Sequence, residues 1–144
     1  MIIRAGGSIG AVTLGGSEGV DVLAGIRPAV QGETLRRAAA PADFTSSAFI
    51  ASVTIKGMGT TDRYFSDSSF SASRIGAVKL TNVQWDNGTA PFGFFARNTR
   101  NGGIRFVKWK DTKAPRDPLL NGSWTPRQGV VNASPGNDLG IQLI

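Results

Sequence analysis

The sequence predicts an all-β fold: a short right-handed parallel β-helix (β-solenoid) of a few rungs with a C-terminal cap, the alternative being a β-sandwich or jelly roll. Three observations predict it. A six-residue apolar frame recurs four times. Glycine is abundant, 19 of 144 residues, and much of it separates short apolar runs, which suits tight turns and short strands rather than long helices. Hydrophobic residues make up 40% of the chain, enough for the core of one domain of ordinary size.

The frame reads Ile-x-x-Val-[Thr/Lys]-[Leu/Ile/Trp]. It begins at Ile9, Ile50, Ile75 and Ile104. Val12, Val53, Val78 and Val107 follow three residues later, and Leu14, Ile55, Leu80 and Trp109 five later. The last two positions are two apart, so they share one face of a strand, and the polar residue between them (Thr13, Thr54, Lys79, Lys108) points the other way. The leading Ile has the opposite parity, which predicts a bend or bulge between Ile and Val. Small residues occupy that point in three copies: Gly10 and Ala11, Ala51 and Ser52, Gly76 and Ala77.

The copies at Ile50, Ile75 and Ile104 lie 25 and 29 residues apart, the length of one solenoid coil. The gap between Ile9 and Ile50 is longer and predicts an insertion at about 27–48, containing Pro28, Gly32, Arg36, Arg37 and Pro41. Within it, Glu33 to Ala40 is expected to form two helical turns that end before Pro41. Each unit carries a second apolar segment: Val20 to Ile26, Tyr64 to Phe70, and Phe92 to Ala96. Turn-rich stretches such as 15–19 and 86–91 separate the two. One rung is therefore strand, turn, strand and return loop, and a core forms only when rungs stack. Residues 111–144 are read as an irregular C-terminal cap whose last stretch, Leu139 to Ile144, is strand-like. The whole chain, 1–144, is read as a single domain.

Several stretches resemble a known family: IGAVTLGG (9–16), FIASVTIKG (49–57), RIGAVKLTNVQWDNGTAPFGFFA (74–96) and NDLGIQLI (137–144). They are similar to the C-terminal β-strand-repeat region of very large autotransporter-like or adhesin-like surface proteins of planctomycete and verrucomicrobial bacteria. The resemblance spans about residues 7–110 and the last strand. It implies parallel β-helix architecture and export, and it carries no catalytic residues.

Composition limits the chemistry. Cysteine and histidine are both absent, which removes disulfides, thiolate and imidazole metal sites, and Ser-His-Asp or Cys-His catalysis. The carboxylates are scattered, with Asp62 and Asp67 five apart and Asp111 and Asp117 six apart. Ala5-x-Gly7-x-x-Gly10 resembles a degenerate dinucleotide fingerprint, but the β-branched residues after it predict a strand where that mechanism needs a helix. Asn87, Asn121 and Asn132 open glycosylation-like triplets and are read as turn residues. No catalytic residue, cofactor or metal is expected.

The net charge is +6. One basic cluster stands out: Arg105, Lys108, Lys110, Lys113 and Arg116, around Phe106 and Trp109. Together with Trp85 and Trp124, which sit beside turn residues, it is the candidate contact for a polyanion or glycan, either a phosphate backbone or an anionic polysaccharide. The opposing reading makes the cluster an exposed basic strand that discourages edge pairing, and the tryptophans caps of a hydrophobic layer. The first functional expectation is a structural or interaction segment of an extracellular β-helix surface protein, without catalysis. The alternatives are a polysaccharide- or polyanion-binding module and a polysaccharide-degrading β-helix enzyme. Expected partners are the rest of a larger β-helix chain, a second copy stacked end to end, or an anionic polysaccharide; nucleic acid is not expected. No run of apolar residues is long enough for a transmembrane helix, and Met1 to Gly7 lacks the apolar stretch of a signal peptide. A complete chain is thus expected in the cytoplasm, and a fragment of a longer exported protein at the cell surface.

Overall fold

The computed structural model describes residues 1–28, 37–57, 64–84, 92–100, 103–110, 112, 122–125, 131–132 and 139–144. These form strands β1 (Ile2–Ala5), β2 (Ile9–Leu14), β3 (Ser17–Glu18), β4 (Asp21–Ala24), β5 (Phe49–Ile55), β6 (Phe65–Ser66) and β7 (Ser69–Ala72). There follow β8 (Arg74–Thr81), β9 (Phe92–Ala96), β10 (Gly103–Lys110), β11 (Gly122–Trp124), β12 (Val131–Asn132) and β13 (Leu139–Leu143). Sheet A has the order β1-β4-β7-β9-β13-β12, sheet B the order β11-β10-β8-β5-β2, and a small sheet C joins β3 to β6.

Neighbours are parallel throughout, except for β11 beside β10 and β12 beside β13. Sandwiches and jelly rolls are built from antiparallel sheets, so this pairing is not theirs. The chain visits sheet B, then C, then A, and repeats the circuit one strand further along: β2, β3, β4, then β5, β6, β7. On the next circuit β8 is followed by a parallel bridge from Val83 to Phe65, and then by β9 in sheet A. The third side of the circuit is absent from the two-strand expectation, in which Ser17 and Glu18 belong to a turn. β1 is a further addition, pairing with β4 ahead of the first repeat copy. The Gly7-x-x-Gly10 stretch runs directly into a strand, β2, which begins at Ile9 and contains Gly10.

The repeat frame is the register of sheet B. Ile9, Ile50, Ile75 and Ile104 stack on one another, as do Val12, Val53, Val78 and Val107. Ile50, Ile75, Ile104, Val53, Val78 and Val107 are all buried. An unbroken pleat would send residues three apart to opposite faces. The pairing instead skips Ala51, Gly76 and Arg105, the point where a bend is expected, and both apolar residues turn inward. Gly76 is required there, because a Cβ on it would overlap the backbone carbonyl of Ala51 on the next strand.

Sheet A meets sheet B across an aromatic interior. Val22, Phe70, Phe94 and Ile141 are in register on four adjacent strands. The rings of Phe70 and Phe94 stack at 5.3 Å and those of Phe65 and Phe94 at 5.4 Å. Such pairs contribute about 0.5–1.5 kcal/mol each beyond the area they bury.

The outer face of sheet A is buried as well. Leu23, Ser71 and Phe95 form its outward row in register and are at most 1% exposed. Residues 37–44 cover them. Leu23 packs with Ile26, Ala38 and Phe44, the Ala38 amide donates to Ser71 Oγ at 3.1 Å, and the Arg37 guanidinium lies 4.5 Å from the Phe95 ring centre. The helical turns expected over Glu33 to Ala40 are corrected where they are described: 33–36 lie outside the described residues, and 37–40 are not helical. The amides a helix would use there are taken by side chains, Ala38 by Ser71, and Ala39 and Ala40 by Asp43 Oδ2 at 2.9 and 3.0 Å.

Asp43 ends a short 3-10 turn, Pro41–Asp43, and is buried. Burial is the largest influence on its carboxyl and by itself raises the pKa. The Ala39 amide, the Arg27 guanidinium at 2.6 Å and the Ala40 amide together outweigh it, so the group titrates below its ordinary range. Polar corners link the passes. Asn82, at φ 51°, donates its amide to the Lys110 carbonyl at 2.9 Å, and its carbonyl accepts from the Tyr64 amide at 2.8 Å. Asp67, at φ 40°, turns the chain between β6 and β7. Both are residue types that tolerate left-handed backbone. Asn132, expected in a turn, ends β12 and pairs with Gly140, while Asn87 and Asn121 lie outside the described residues.

Candidate functional site

Among the described residues, the outward face of sheet B forms a broad open surface. The outward row of sheet B runs Thr13, Thr54, Lys79, Lys108 and Ser123 across five strands in register. Lys79 and Lys108 are exposed. Near the C-terminal ends of the strands this face carries a groove of about 740 Å³. Lys56 follows β5, Lys79 lies on β8, and Lys108 and Lys110 lie on β10; all four line the groove. Gly122 and Ser123 of β11 line it as well.

Trp109 lines the groove from the other side of β10: it shares the inward face with Val107, is half-buried and packs against the core. Its indole lies so close over Gly122 that a Cβ there would come within 2.5 Å of Cζ2. Glycine on β11 is thus what lets the ring lie down against the sheet. Thr54 and Ser123 flank the adjacent Lys79 and Lys108 in one row, and Thr81 stands opposite Lys110 in the next. No acidic residue is among the described residues that line the groove, and none of those described pairs with the four lysines.

A second, smaller groove of about 370 Å³ lies near the N-terminal ends of the same strands, with Arg74, Arg105 and the half-exposed Phe49 in its walls. Arg74 sits over the Phe49 ring at 5.4 Å, and Arg105 over Phe106 at 6.0 Å. The Lys108 ammonium also lies 5.5 Å from the Phe106 ring centre.

The sequence cluster is thus divided. Lys108 and Lys110 are on the large groove and Arg105 on the small one. Lys113, Arg116 and Trp85 lie outside the described residues. Trp124 is no sugar platform, because it is fully buried in the main core, paired on β11 opposite Val107. Lys56 and Lys79 belong to the site but not to the sequence cluster. Their signal was the repeat itself, whose alignment places Lys79 over Lys108. Of the carboxylates that could have formed a hydrolytic pair, Asp67 is at a corner, and Asp62, Asp111 and Asp117 lie outside the described residues. Among the described residues no three acidic side chains gather as metal ligands, and no helix is long and apolar enough to cross a membrane.

Compared with known proteins, the chain matches no family model, no curated protein and no solved structure.

Proposed function

We propose that the chain is a short right-handed β-solenoid that works, without catalysis, as a structural and interaction segment of a larger bacterial surface protein of the autotransporter-like or adhesin-like kind. The observation that carries this reading is the in-register stacking of like residues on successive passes: Ile on Ile and Val on Val through four strands of sheet B. A fold whose unit adds one strand to each side per pass is extended by repetition alone, which is what a stalk requires.

The two ends of the stack support the same reading. At one end the antiparallel strands β11 and β12 lie outermost on sheets B and A. At the other, β2 and β1 are the outermost strands, and the exposed Ile2 and Ile3 belong to β1, with the exposed Met1 just before it. An edge that is outermost among the described strands and carries exposed apolar residues is a template for another rung. The antiparallel strands act as a stop.

The test is an immunoblot of fractionated native cells with antibody raised to this chain. A species much larger than the chain, in the envelope or secreted fraction, is expected. A soluble cytoplasmic band of the chain's own mass would overturn the assignment.

A further inference from the structure

We propose that the groove lined by Lys56, Lys79, Lys108 and Lys110 is a binding site for a linear anionic polysaccharide, one that carries carboxylate or sulfate groups at intervals along a hydroxyl-rich chain. The charge arrangement is the first argument. Lys79 and Lys108 stand directly opposite each other on neighbouring strands, about 4.8 Å apart at the backbone, and Lys108 and Lys110 share one face of β10 about 7 Å apart. Like charges directly opposite each other destabilise a sheet. Among the described residues no carboxylate offsets this repulsion. An anion seated between the strands would.

The kind of anion follows from what lines the groove. Its cations are all lysines, compact point charges that respond to charge spacing and not to the planar geometry that a guanidinium fork selects. Thr81 places a hydroxyl beside Lys110, and Ser123 places one beside Lys108. Spaced ammonium groups and hydroxyls complement a polymer in which acidic groups alternate with hydroxyls. A single-stranded nucleic acid is held by a succession of aromatic platforms. This groove has a single aromatic side chain among its described lining, and that ring lies against Gly122. The volume, about 740 Å³, suits a segment of a few sugar units. Because the lysines come from three successive passes, the site exists only when the passes are stacked.

The test is titration of the intact chain with four probes: heparin, polygalacturonate, neutral dextran and single-stranded DNA. Binding to heparin or polygalacturonate is expected, weakening steeply as salt rises, with none to dextran. The double variant Lys79→Gln/Lys108→Gln should lose at least tenfold in affinity and show a shallower salt dependence, while keeping the wild-type circular dichroism spectrum. Arg100→Gln removes one charge from an exposed position that does not line the groove, and should change affinity less than Lys108→Gln does. Equal losses from Arg100→Gln and Lys108→Gln would mean that net charge alone attracts the polymer, and the site assignment would fail. Failure to bind either anionic polysaccharide would overturn it too, as would tighter binding of DNA than of both at the same salt.

Discussion

Val78→Asp, set against Lys79→Asp, separates the inside of sheet B from its outside at adjacent residues. Val78 is fully buried, stacked between Val53 and Val107, whereas Lys79 is exposed. Removing the buried valine costs about 1.5–3 kcal/mol of apolar burial. The introduced carboxyl has no charge partner in that row, so burial raises its pKa, by up to about 3–5 units at a fully buried site. Keeping it protonated at pH 7, against an unfolded value of about 3.9, costs roughly 4 kcal/mol at about 1.36 kcal/mol per pH unit. The sum is roughly 6 kcal/mol, comparable with the entire net stability of about 5–15 kcal/mol that a domain has. The sign can be checked with pH. A group whose folded pKa is raised destabilises progressively as pH rises above its unfolded value, so at pH 4 the second contribution falls to about 0.5 kcal/mol and the loss to about 2–3 kcal/mol. Lys79→Asp should stay within about 1 kcal/mol of wild type at both pH values. Urea unfolding followed by circular dichroism at pH 7 and pH 4 measures all three proteins. Equal stability of the two variants, or a Val78→Asp loss that does not shrink at pH 4, would refute the inward stacking of the repeat.

Two further substitutions test the bend and the covering segment. Gly76→Ala places a methyl group against the Ala51 carbonyl, and the resulting overpacking should cost about 1–3 kcal/mol in the same urea assay, although alanine is elsewhere the better strand residue. A neutral Gly76→Ala would show that β5 and β8 separate freely at that point. The Asp43 carboxylate, with its lowered pKa, contributes stability that is present above the unfolded value and is lost as pH falls below about 4. Asp43→Asn should therefore reduce stability at pH 7 and flatten its decline between pH 4 and pH 2, read from thermal unfolding across that range.

The part of the fold legible in the sequence was the part that repeats. Ile-x-x-Val recurs because each copy occupies the same place in sheet B, so the frame carried register, the inward face and the bend together. Sheet C was not legible because two residues per strand leave no period, and Ser17 and Glu18 read as turn residues. The covering segment was misread for a different reason. Its alanines and arginines favour a helix locally, but Ser71 and Asp43 offer the Ala38, Ala39 and Ala40 amides partners that no local rule anticipates. The site was half legible: Lys108 and Lys110 lie in one basic run, while Lys56 and Lys79 join them only through stacking. Trp124 has the sequence setting of a loop tryptophan and ends in the core because β11 folds back along β10.

The contrast between the two large sheets bears on both proposals. On sheet A the outward row Leu23, Ser71 and Phe95 is apolar or small and is roofed by residues 37–44. On sheet B the corresponding outward row becomes cationic along the stack, from Thr13 and Thr54 to Lys79 and Lys108. A stalk element with no surface role needs only polar residues on that face, and threonine meets the requirement at the first two positions. Lysine opposite lysine does more than keep the face polar: it adds repulsion between β8 and β10, in the part of the stack nearest the antiparallel stop. Protection of an exposed edge does not account for it either, because β8 and β10 are interior strands of sheet B, paired on both sides. Among the described residues these lysines have no acidic partner, and Lys79 opposite Lys108 opposes the pairing of β8 with β10, which is the reason to assign them to a ligand.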